Sequence, residues 1–281
     1  MSDRKQRPSA SGDDSGGGRS STRRRLTGLA AIAAGLVLVS VLVAVGLVAW
    51  SLTTEGSSDG PKTAVIVDQL SLTVPNQAFV TAATGLLEEA GYSVDYYSGE
   101  EITVDFYKSL PTRGYDYIVM RVHSGLYTEE GSGDGVDSEV TFLALFTNET
   151  YNQYTYIEEQ EAGRIGKAFY REGGEELFAI GPGFVSSSME GRFDDTMIVM
   201  MGCDGLGTTV TADSFIQKGA EAFISWSQPV TASHTDAATE ELLEKLLIEG
   251  LSTADAVERT AAELGPDPAY GAELRFVESG G

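Results

Sequence analysis

Cysteine and histidine are nearly missing from this chain, and basic residues are scarce. One cysteine, Cys203, leaves no disulfide to form within the chain, so stability has to come from a packed core. The two histidines, His123 and His234, do not combine with Cys203 into a spaced metal-ligand cluster, and the carboxylates fall into no EF-hand loop pattern. No Walker A or dinucleotide fingerprint joins a strand to a helix. The expectation is therefore no metal and no cofactor. Lys and Arg number 19 against 42 Asp and Glu, a formal net charge of -23, which excludes the basic footprint a nucleic acid requires. What is present, 281 residues with 42% hydrophobic content and 33 Gly, is the composition of a folded globular protein.

The few basic residues are unevenly placed. Residues 1–25 carry seven of them against three acidic residues, a net of +4 that leaves -27 for the remainder. Between these parts Gly28 to Trp50 is almost entirely Ala, Val, Leu, Ile and Gly. As a helix this run spans roughly 35 Å, enough to cross a hydrocarbon layer of about 30 Å. The sequence predicts a disordered basic tail over 1–25, a transmembrane anchor helix over 26–52 and a polar linker over 53–62. A cleaved export signal is the alternative: Thr22-Arg23-Arg24-Arg25-Leu26 resembles a twin-arginine signal and Ala44-Val45-Gly46 a small-x-small site. Under either reading Arg23, Arg24 and Arg25 precede the apolar run while Glu55 and Asp59 follow it. The positive-inside bias then leaves the N-terminus cytoplasmic and the acidic C-terminal domain outside the cell membrane, attached by a single pass if the helix is retained.

Residues 63–281 read as one domain. Thr63–Val67, Val94–Tyr97, Tyr115–Val122, Thr196–Met201 and Ala222–Trp226 are short apolar runs suited to buried strands. Helix-like spacing occupies Ala78–Ala90, Val104–Leu110, Ala212–Lys218, Ala237–Ile248 and Thr253–Leu264. This alternation predicts an α/β three-layer sandwich with a mostly parallel central sheet. It is interrupted by an insertion over about 126–195, in which Gly131–Ser138 is expected as an exposed loop, Thr141–Phe146 and Tyr154–Ile157 as a hairpin or sheet extension, Ala162–Tyr170 as a helix and Leu177–Ile180 as a strand.

In an open parallel sheet, sites form outside the carboxyl ends of the strands. One strand run, YDYIVMRV, ends in His123-Ser124-Gly125, and another, TMIVMM, ends in Gly202-Cys203-Asp204-Gly205. One of two histidines and the only cysteine thus fall on the same rim. A thiolate is an effective nucleophile, a nearby imidazolium lowers the thiol pKa enough to populate it near neutral pH, and flanking glycines let a peptide and main-chain N–H groups approach.

These two blocks resemble the caspase-like superfamily of cysteine peptidases, which includes caspases, legumains, gingipains and CHAT domains. There an apolar strand runs into His-Gly and a later one into a small residue and the catalytic Cys. Ala212 to Trp226, with its helix, Gly-Ala turn and short strand, resembles the downstream part of CHAT and gingipain-type domains. The resemblance implies His123 as general base or ion-pair partner and Cys203 as nucleophile, acting through an acyl-enzyme. It also implies an oxyanion hole from backbone N–H groups around Gly202-Cys203 and of Ser124 or Gly125, and a substrate-binding wall of Ser225, Trp226 and Ser227. Partners would be a peptide or protein substrate and, through one helix, the membrane. The chain departs from the pattern in placing Ser124 directly after His123 and in its long insertion. Those departures favour a second reading, an inactive caspase-like surface module for binding or assembly.

His234, in the run Val230 to His234, is expected near a helix start on the surface. Asn148-Glu149-Thr150 is an N-glycosylation acceptor expected on an exposed loop. Lys is rare in the acidic body, only Lys62, Lys108, Lys167, Lys218 and Lys245, a balance that resembles proteins of extreme halophiles.

Overall fold

The structure is a computed structural model and describes residues 60–131 and 138–280. The expected tail, transmembrane helix and most of the linker lie outside the described residues, as does most of the Gly131–Ser138 loop. Among the described residues no helix is long and apolar enough to cross a membrane.

From its start the chain alternates strand and helix: β1 (Thr63–Asp68), α1 (Gln77–Glu89), β2 (Ser93–Ser98), α2 (Val104–Ser109) and β3 (Tyr117–Arg121). It then builds a second sheet from β4 (Ser124–Gly131), β5 (Ser138–Thr150), β6 (Ile165–Ala168) and β7 (Leu177–Ile180), with the short helices α3 (Ile157–Glu161) and α4 (Pro182–Ser187). The alternation resumes with β8 (Thr196–Met200), α5 (Val210–Gln217), β9 (Ala220–Trp226), α6 (Ala232–Leu243), α7 (Thr253–Leu264) and β10 (Leu274–Glu278). A π-helical turn over Glu244–Ile248 prolongs α6.

The central sheet has the order β10-β9-β8-β3-β1-β2 and is parallel except for β10. The fold is thus mixed α/β with a mostly parallel sheet. β3 shows why the sequence chooses it: all five residues are buried, Tyr117 and Val119 packing on one face and Ile118 and Met120 on the other. A strand buried on both sides is apolar along nearly all its length, here up to the closing Arg121, and each fully buried apolar side chain contributes about 1.5–3 kcal/mol. One face is covered by α1, α6 and α7 through Phe79, Ala83, Leu87, Leu242, Leu243, Ala256 and Val257. The other is covered by α2, α4 and α5 through Val104, Phe106, Phe184, Ala212 and Phe215. Helix α1 starts where the Asn76 side chain accepts the Phe79 N–H at 3.2 Å and stops at Gly91, whose φ of +89° suits glycine.

The second sheet, ordered β4-β5-β7-β6 and antiparallel throughout, corrects several expectations. Thr141–Phe146 pairs with β4 and β7, not with Tyr154–Ile157, which forms a turn leading into α3 with Tyr156 at φ +52°. Ala162–Tyr170 contains a strand and no helix. Gly163, at φ +66°, closes α3 just ahead of it, and the backbone of Ile165–Ala168 finds its hydrogen bonds on β7. Leu177–Ile180 is a strand, as its apolar run suggests.

Candidate functional site

The order of the central sheet reverses at β1: β2 lies on one side, β3 and β8 on the other. Such a switch point opens a crevice beyond the carboxyl ends of the strands. A cavity of about 180 Å³ lies there, and His123 and Cys203 both line it, together with Leu70, Val74, Val122, Met201, Gly202 and Val230. The two residues that the strand ends single out are therefore brought to one space. A larger open groove of about 540 Å³ runs past Tyr97, Phe106 and Arg113 and contains neither of them.

Two glycines make the Cys203 turn possible. A Cβ on Gly202 would lie 2.4 Å from the Ser124 Oγ and 2.5 Å from the Val122 carbonyl oxygen. A Cβ on Gly205 would lie 1.8 Å from the Ser225 Oγ. Between them Asp204 takes a left-handed backbone, φ +58°, and the Ser124 hydroxyl donates to the Cys203 carbonyl at 2.6 Å. The β3–β4 junction and the Cys203 turn are thus tied together across the crevice.

Among the described residues the Cys203 N–H has no hydrogen-bond partner. In β4 the Phe146 N–H donates to the His123 carbonyl at 2.9 Å, with Ser124 opposite Leu145 and Gly125 opposite Ala144. Antiparallel ladders alternate, so Gly125 turns its N–H toward β5 and Ser124 turns its own away. Of Ser124 and Gly125, Ser124 is the one whose amide is free among the described residues.

His123 is held from several sides. Its N–H donates to the Gln69 Oε1 at 2.9 Å, its Nε2 lies 2.8 Å from the Thr73 Oγ1, and its ring packs on Tyr170 with centroids 4.6 Å apart. Burial, aided by the Arg121 charge, pushes its pKa down to about 4. Burial also pushes the Cys203 thiol up, with Asp204 and Asp267 adding to the effect. Its Sγ lies 3.7 Å from the Val230 carbonyl oxygen, to which the thiol donates. Both groups are therefore neutral at pH 7, and each is bonded to a third partner instead of to the other.

Beneath His123 sits an ion triad that sequence reasoning missed. Arg121 is fully buried, and its Nε and Nη2 meet the two carboxylate oxygens of Asp236 at 2.8 and 2.9 Å, while Nη1 meets Asp68 at 3.0 Å. Asn76 donates to Asp236 at 2.8 Å, so the triad joins the ends of β1 and β3 to α1 and α6. A signal existed: Asp68 and Arg121 are the single charges closing two otherwise apolar strands, TAVIVD and YIVMR.

Other expected site residues do not reach the cavity. Ser225 and Trp226 are 0% and 2% exposed. The Ser225 hydroxyl donates to the Met200 carbonyl at 2.6 Å, and the Trp226 indole donates to Thr235 at 2.8 Å. Ser227 is buried and its Oγ accepts the Glu273 N–H at 3.0 Å. These three side chains lock β9 into the fold and do not line the crevice. His234 packs at a tilt against Trp226, centroids 5.2 Å apart, with its Nε2 buried and without a hydrogen-bond partner among the described residues, and so is no simple surface residue. Asn148 lies within β5, half-buried, and not on a loop. The next residue, Glu149, accepts from the Val104 N–H and the Tyr156 hydroxyl, both at 3.1 Å, which builds the acceptor motif into the fold. Among the described residues no cluster of His, Cys, Asp or Glu could hold a metal ion.

Comparison with known proteins adds a faint likeness. No family model matches the chain and no curated protein matches it. A solved structure, protein GSU0716 from Geobacter sulfurreducens, aligns over 78% of this chain and 94% of its own at 13% identity, with a TM-score of 0.39.

Proposed function

We propose that this protein is a caspase-like thiol peptidase acting from outside the cell membrane, with Cys203 as nucleophile and His123 as base. The observation that carries the reading is the joint lining of one crevice by these two residues, each at the carboxyl end of a parallel strand. In the reaction the Cys203 Sγ bonds to a peptide carbonyl carbon while its proton passes to His123. The oxyanion is met by the N–H groups of Cys203 and Ser124, and the His123 proton then goes to the leaving amine as the C–N bond breaks. Water hydrolyses the thioester and restores the thiol. The crevice is lined mainly by Leu70, Val74, Val122, Met201 and Val230 and by no carboxylate, which favours an apolar over a basic side chain beside the scissile bond. The strong acidity belongs to the surface and to the medium.

The second reading, a binding module without turnover, draws on the resting bonds: His123 to Thr73 and the thiol to Val230. Under the peptidase reading a bound substrate replaces these bonds. Cleavage of a mixed peptide library, followed by mass spectrometry, separates the two. New termini produced by the wild type and absent with Cys203→Ala are expected; no cleavage above the Cys203→Ala level overturns the peptidase reading.

A further inference from the structure

The Asp68–Arg121–Asp236 triad is costly to bury, and apolar residues of similar volume often replace such a triad without loss of stability. Its members stand beside the segments that grip His123 and Cys203. Asp68 ends β1, and the turn after it supplies two bonds to His123. The Gln69 Oε1 takes the His123 N–H at 2.9 Å, and the Thr73 Oγ1 lies 2.8 Å from its Nε2. Arg121 ends β3, two residues before His123. Asp236 lies near the start of α6. Next to it the Thr235 hydroxyl donates to the Met201 carbonyl at 3.0 Å, two residues before Cys203, and ahead of the helix the Val230 carbonyl accepts the Cys203 thiol at 3.7 Å. Asp68 thus adjoins the segment that holds His123, Asp236 adjoins the one that holds Cys203, and the Arg121 guanidinium spans the two carboxylates.

The planar fork fixes direction as well as distance. Nε and Nη2 meet both oxygens of Asp236 at 2.8 and 2.9 Å, and Nη1 meets Asp68 at 3.0 Å. A bidentate pair sets the angle between the elements it joins, which an apolar contact leaves free to slide. None of the three residues lines the crevice, so any effect on chemistry runs through His123 and Cys203.

We propose that Asp68, Arg121 and Asp236 are positioning residues that hold the His123 and Cys203 segments in register for proton transfer between them. This rests on the peptidase reading and adds to it the groups that set its geometry.

The test follows labelling of Cys203 by an acetylated alanyl acyloxymethyl ketone of three residues, in two variants each kept well below its own Tm. Arg121→Lys keeps the charge and loses the fork. The triple variant Asp68→Leu, Arg121→Met, Asp236→Leu loses both and leaves none of the triad's charges unpaired. In each, labelling should be slower than in the wild type by at least about tenfold, since a misplacement of about 1 Å costs up to about 100-fold. In a His123→Ala background the same changes should slow it by less than about twofold, because residues that act as a unit are not additive. Labelling of a folded variant at the wild-type rate, while the wild type still depends on His123, overturns the positioning role and leaves the peptidase reading standing. An equal loss with and without His123 reduces the triad to a support of the fold and also refutes the proposal. Wild-type labelling that ignores His123→Ala overturns the peptidase reading itself. Failure of both variants to fold would make the triad a condition of folding and count against a separate positioning role.

Discussion

Replacing Asp236 by Ala should be among the most damaging single changes in the domain. Arg121, Asp68 and Asp236 are 0%, 1% and 4% exposed, so none of the three charges has water to fall back on. Asp236 supplies both of its oxygens to the guanidinium, at 2.8 and 2.9 Å. Asp68 supplies one, and its own pKa is raised because burial outweighs Arg121. Without Asp236, two guanidinium N–H groups and the Asn76 amide lose their acceptor inside the protein. Breaking a buried pair in this way costs about 3–5 kcal/mol. For a domain of this size that is a fall in Tm of roughly 6–20 °C, at about 2–4 °C per kcal/mol. The control is Glu176→Ala, which removes the exposed Lys167–Glu176 pair (2.9 Å, side chains 48% and 51% exposed) and should cost no more than about 1 kcal/mol. Thermal melting followed by circular dichroism measures both. An Asp236→Ala melting point within 2 °C of the Glu176→Ala value would refute the view that the triad holds β1, β3 and α6 together.

Three further outcomes are expected. The buried neutral His123 makes stability depend on pH: the unfolded chain takes up a proton below about 6.5, which the folded site resists until about 4. Stability should therefore decline as pH falls through that window, and His123→Gln should flatten the decline in urea titrations; an unaltered slope would count against burial as the cause. Gly202→Ala forces a methyl against a backbone carbonyl 2.5 Å away, so a loss of about 1–3 kcal/mol or more is expected in urea unfolding, whereas Gly166→Ala, where a Cβ meets nothing within 4 Å, should fall well short of it. With 42 acidic against 19 basic residues, self-repulsion should be relieved as the Debye length drops to about 3 Å near 1 M salt. Tm should thus rise between 0.1 M and 3 M salt, and an unchanged Tm would remove the halophile-like reading.

The central sheet was legible because its four inner strands, β1, β3, β8 and β9, are buried on both faces. A run such as TMIVMM has no amphipathic alternative, and the helices between the strands carry helical spacing. The second sheet was not, since β6 spans only Ile165–Ala168 and is defined by its pairing with β7 rather than by its own residues. β10, an edge strand of mixed exposure, escaped for the same reason. Within the site, His123 and Cys203 could be found because each follows an apolar strand. Ser225 and Trp226 were assigned to the substrate wall by the resemblance alone, while close approach of Gly205 to Ser225 and the bond from Trp226 to Thr235 bury them. The partners of His123, Gln69 and Thr73 from the turn after β1 and Tyr170 from the loop after β6, carry no motif and are assembled only by the fold.

The resting site is neutral and its two groups are apart in bonding, so a small alkylating reagent reports the accessibility of the thiol and its thiolate fraction. A peptide-like reagent engages the machinery. The most direct measurement is the rate at which the three-residue alanyl acyloxymethyl ketone labels the protein at pH 7, in the wild type, His123→Ala and Cys203→Ala. The account predicts labelling of the wild type at Cys203, none of Cys203→Ala, and a rate at least about 100-fold lower in His123→Ala, the usual scale of a general base. Equal rates in the wild type and His123→Ala would contradict it.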